Sequence, residues 1–72
     1  MMATQPAAVI ATSEAMLHRI RSEYFETPGL SLTLSQAQRL WGLSREECEK
    51  HIEHLVLRRF LRRTHRGAFV RA

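Results

Sequence analysis

Residues 34–55, LSQAQRLWGLSREECEKHIEHL, constrain the fold more than any other stretch. Leu34, Ala37, Leu40 and Trp41 mark one apolar stripe. After Gly42-Leu43-Ser44, the residues Cys48, Ile52, Leu55 and Val56 mark a second. Both stripes follow the helical period of about 3.6 residues. Gly42 lacks the side-chain carbon that clashes in left-handed backbone, so it suits the end of the first helix. Ser44 followed by Glu47 reads as a capping box that starts the second. Leu43 then sits in the angle between them as an apolar plug. A helix, a tight turn and a capped second helix form a helix-turn-helix.

The flanking residues extend this unit on both sides. Ser13 is a good N-cap, and Glu14 suits the positive end of a helix. Leu17, Ile20 and Tyr24 repeat at helical spacing as far as about Glu26, with Met16 and Phe25 widening the stripe. Thr27-Pro28-Gly29 ends this helix, since proline disfavours helical backbone in the residue before it. Leu30-Ser31-Leu32 alternates and predicts a short strand. Thr33 with Gln36 offers a capping box for the next helix; Ser35 with Gln38 is the alternative. Beyond the motif, residues 60–64 and 68–71 read as strands around the turn His65-Arg66-Gly67, a hairpin pattern. The lone strand should pair with the hairpin, because an isolated hairpin is marginal in water. The expected fold class is α+β, with three helices and a small antiparallel sheet over residues 13–72. Residues 1–12 read as a flexible tail. Leu17, Ile20, Leu40, Trp41, Leu43, Ile52, Leu55 and Phe69 are the expected core.

Charge is split along the chain. Residues 1–57 carry Arg19, Arg21, Arg39, Arg45 and Lys50 with all seven acids. Residues 58–72 carry Arg58, Arg59, Arg62, Arg63, Arg66 and Arg71 and no acid. Arginine forks onto phosphate and guanine where lysine acts as a point charge. A segregated basic end points to an anionic partner, nucleic acid first. As an ordinary solvated edge strand, the same cations would deter edge pairing.

Little else suggests chemistry. Cys48, His51 and His54 are metal-ligand types, but the six residues from Cys48 to His54 turn a helix through about 240°, so the two do not share a face, and a fourth ligand is missing. Cys48 and His51 read as core and core edge. Trp41 reads as core, with its indole N–H at an edge, in preference to a stacking platform. No nucleophile signature, paired carboxylates or phosphate loop is present, so no catalysis and no cofactor are expected. The single cysteine fits a buried thiol in a reducing compartment. No apolar run approaches the roughly 20 residues of a membrane span, and the N-terminus is a poor signal peptide. The expected location is the cytoplasm.

Together, Leu32-Thr33-Leu34, the run from Gln38 to Arg45, Leu55 to Thr64 and Gly67 to Arg71 resemble the winged helix-turn-helix of bacterial transcription regulators. The resemblance spans roughly residues 13–71. It implies that the second motif helix enters the DNA major groove, while the hairpin wing follows the phosphate backbone or minor groove. Carried over, Ser44, Arg45, Glu46, Glu49 and Lys50 face the groove, and Arg62, Arg63, His65 and Arg66 flank it. Double-stranded DNA is then the expected partner, with a homodimer through the tail and first helix. Two features depart from the pattern. Five residues before Leu43, where the family has a small residue at the helix crossing, stands Gln38. The motif helix also carries Glu46, Glu47, Glu49 and Glu53 against only Arg45 and Lys50. That acidity suits the alternative function, a winged-helix module that docks on protein without binding DNA.

Overall fold

The computed structural model describes residues 12–72. Its elements are α1 (Glu14–Glu26), β1 (Leu32–Thr33), α2 (Leu34–Trp41), α3 (Arg45–Leu57), β2 (Leu61–Arg63) and β3 (Ala68–Arg71). The expected tail lies outside the described residues except for Thr12, and so does most of the dimer surface assigned to it. No described helix is long and apolar enough to cross a membrane.

Each helix starts where its cap places it. The Ser13 hydroxyl accepts from the Met16 N–H. Thr33, not Ser35, caps α2, and its box with Gln36 is complete. Ser44 accepts from the Glu47 N–H at 3.1 Å, and Glu47 Oε1 accepts from the Ser44 N–H at 3.0 Å. Gly42 ends α2 at φ 66°, and the Leu43 N–H bonds back to the Gln38 carbonyl.

The sheet has the order β1-β3-β2 and is antiparallel throughout. Leu32 pairs with Phe69, and Arg62 with Val70. The first strand is shorter than expected and shifted, since Leu30 and Ser31 lie before it. The Tyr24 hydroxyl donates to the Phe69 carbonyl at 2.8 Å and ties α1 to β3.

Leu17, Ile20, Tyr24, Ala37, Trp41, Cys48, Ile52, Leu55 and Leu61 form the core. Three expected members differ. Leu40 is 43% exposed, because Ala37 and Trp41, one turn apart, define the buried face of α2 and turn Leu40 away from it. Leu43 and Phe69 pack on the core but are only partly buried. Ala37 is fully buried and supplies the small residue of α2, leaving Gln38 half-buried. The Trp41 indole N–H is buried, not at an edge, and has no hydrogen-bond partner among the described residues. Phe25 is exposed, stacked edge-on against Phe60 with the Arg71 guanidinium over both rings.

α3 closes with a paired bond pattern: Phe60 N–H to the Leu55 carbonyl, and Arg59 N–H to the Val56 carbonyl. This ending calls for left-handed backbone at the intervening position, normally glycine. Here it is Arg59, at φ 63°. The conformation costs a side-chain-bearing residue about 1–2 kcal/mol, partly offset by glycine's greater freedom in the unfolded chain. Arg59→Gly should therefore stabilise the domain by about 0.5–1 kcal/mol in urea melts. A loss of stability would mean that the Arg59 side chain holds the fold.

Candidate nucleic-acid interface

The site begins at the Ser44 cap, which sets where α3 starts and so which side chains lead it. Ser44, Arg45, Glu46, Glu49 and Lys50 are all exposed, as are Arg62, Arg63, His65 and Arg66. They do not form one surface. Arg45, Glu49 and Glu53 line one wall of a cleft of about 430 Å³, and Arg63 and Gly67 of the hairpin line the other. Leu34, Ile52, Val56 and Phe69 give the cleft an apolar base. Lys50 lies on another side of α3, beside a shallower hollow with Thr12, His54 and Leu57, and Glu53 borders both this hollow and the cleft. Glu46 is on the first turn of α3, and Ser44 is committed to its cap.

Within the cleft, Arg45 Nε donates to Glu49 Oε2 at 3.1 Å, the only ion pair among the described residues. Glu49 also stands beside Cys48. Burial first, and the Glu49 charge second, push the Cys48 thiol up to about 11. Burial likewise raises the Tyr24 phenol to about 12, with Cys48 a second cause. Both groups are neutral core members, and Cys48 is buried as a thiol.

The hairpin is shaped by Thr64, which sequence reasoning passed over. Its hydroxyl accepts from the N–H groups of Arg66 and Ala68, and its carbonyl accepts from the Gly67 N–H. Gly67 takes φ 81°, the left-handed position at the end of a three-residue loop. The signal was legible as a threonine ahead of a turn glycine, a residue whose hydroxyl bonds nearby backbone. Strand pairing then sorts the arginines. Partners across a ladder face the same way, so Arg63 goes with Phe69 and Arg71 with Leu61. Arg62 faces the opposite side with Val70. Arg63 lies 6.0 Å from the Phe69 ring centre, and Arg71 lies 4.3 Å from that of Phe60.

His51 was also missed in part. Expected at the core edge, it is 3% exposed. Its Nε2 accepts from the Ser13 N–H at 3.0 Å, and its Nδ1 lies 2.7 Å from the Glu47 carbonyl. The ring therefore carries its proton on Nδ1 and links the start of α1 to α3. No group of three or more metal-ligating side chains stands together among the described residues.

No known family model matches the chain, and neither does any curated protein or solved structure. The fold and this surface are the grounds for a functional reading.

Proposed function

We propose that the domain binds duplex DNA as a transcription regulator, with α3 in the major groove and the hairpin on the phosphate backbone. One observation carries the reading. After Leu57 the chain presents six arginines and no acid, all six are exposed, and none is ion-paired among the described residues. Unpaired exposed arginines are what phosphate recognition needs. The cleft adds support, since it sets the leading turn of α3 beside the hairpin. The residues assigned to the groove are Ser44, Arg45, Glu46, Glu49 and Lys50, and those assigned to the backbone are Arg62, Arg63, His65 and Arg66. Location in the cytoplasm and pairing of two copies through residues 1–12 and α1 belong to the same proposal.

A second reading, docking on protein without DNA, draws on the carboxylates of α3. With Arg45 paired to Glu49, that helix has little free positive charge.

Arg66, in the hairpin turn, tests the first reading. Phosphate contacts position a protein without reading sequence. Arg66→Ala should weaken binding to all duplexes alike and flatten the log–log salt slope by about one unit. Fluorescence anisotropy with several unrelated duplexes measures both. An unchanged slope would remove the hairpin turn from the interface. Failure of the unaltered domain to bind any duplex pool at low salt would favour protein docking.

A further inference from the structure

We propose that Arg45 and Glu49 act as one unit that reads a G·C base pair, an inference that rests on the duplex-binding reading of α3. Arg45 is the first helical residue after the Ser44 cap, at the leading end of the helix. Its Nε–H donates to Oε2 of Glu49, one turn further on. That bond orients the guanidinium in the structure and leaves its terminal amino groups without a partner among the described residues. Two parallel donors of this kind fit the O6 and N7 acceptors of guanine. Glu49 keeps its Oε1 free of partners among the described residues, and a carboxylate oxygen accepts from the cytosine N4 amine. Donor, donor and acceptor then meet the acceptor, acceptor and donor of the G·C major-groove edge.

Stability does not account for the pair. The two side chains are 75% and 52% exposed, and exposed ion pairs contribute little. An arginine in the first turn opposes the helix dipole. Glutamate before lysine or arginine is the more favourable order at this spacing, and here the order is reversed. An acid at position 45 would suit the helix better, and the exposed arginine there has its terminal amino groups open to a partner. Arg63 and Gly67 across the cleft keep the unit next to the hairpin. A duplex held by the hairpin would thus offer its groove to Arg45. Glu49 further excludes loose association, because a carboxylate beside phosphates repels them, and selectivity often rests on such a repulsive element.

The test is selection from a randomised duplex library, followed by anisotropy on the selected sites. The unaltered domain should enrich guanine at one position, with a preference of about 10-fold to 100-fold over other bases. Replacing that guanine by 7-deazaguanine, which lacks the N7 acceptor, should abolish most of the preference without altering the protein. Arg45→Ala should erase the guanine preference and leave the salt slope unchanged. Glu49→Ala should tighten binding to sites without guanine and shrink the preference several-fold. Duplex binding with no guanine preference would overturn this inference alone, as would an Arg45→Ala variant that selects the same sites. Absence of any duplex binding would overturn it together with the reading on which it rests.

Discussion

Leu55→Ala should destabilise the domain by about 2–5 kcal/mol, the range for truncating a large buried side chain. Leu55 is fully buried in α3, in one cluster with Leu17 and Ile20 of α1 and Leu61 of β2. A chain of this size holds only about 0.05–0.15 kcal/mol of stability per residue. The loss would therefore consume much of what keeps it folded. Urea melts followed by circular dichroism read the effect directly. Leu40→Ala is the control on the same scale. Leu40 is 43% exposed, and a surface change should stay within about 0.5 kcal/mol. Leu43, partly buried at the turn, should fall between the two. Equal losses at Leu40 and Leu55 would contradict the orientation of α2.

Replacing Arg62, Arg63 and Arg66 together by alanine should have the largest effect on binding. Each neutralised phosphate contributes a salt slope of about −0.9. At 0.1 M salt that corresponds to roughly eightfold in affinity per contact, so three contacts amount to several hundredfold. The slope itself should flatten by about 2.7. All three side chains are exposed, so the melting curve should move little. Strand pairing refines the expectation. Arg63 faces the cleft while Arg62 points to the opposite face of the sheet. A loss carried by Arg63 and Arg66 alone would show that the duplex meets only the cleft side of the hairpin. No loss in the triple variant would mean that the hairpin does not grip DNA.

The sequence was most readable where backbone chemistry decides the outcome locally. Ser13, Thr33 and Ser44 cap helices because a short side-chain oxygen can reach the backbone N–H groups that a helix start leaves unpaired. Gly42 and Gly67 adopt the left-handed backbone their turns require. The succession of helices and strands along the chain and the hairpin followed from those signals and from apolar period, while the sheet order, with β3 in the middle, did not. Legibility failed where a neighbouring element decides. Leu40 fits the helical period as well as Ala37 does, and only the packing of α2 on α3 makes Ala37 the buried one. Nothing in the run Glu47 to His51 announces that the His51 ring will accept from the Ser13 N–H, 38 residues earlier in the chain. Arg59 carries no local mark of its left-handed backbone, since glycine is the usual residue there. The candidate interface was legible as a list of charged side chains. Its division was not, because strand register separates Arg62 from Arg63 and the rotation of α3 separates Lys50 from Arg45.

Binding of the basic hairpin to the backbone of duplex DNA is read from the affinity of the unaltered domain for duplex DNA across a salt series. Four to six neutralised phosphates predict a linear fall of log affinity with log salt, at a slope of about −3.6 to −5.4. A flat response, or no measurable binding at the lowest salt, would contradict such binding.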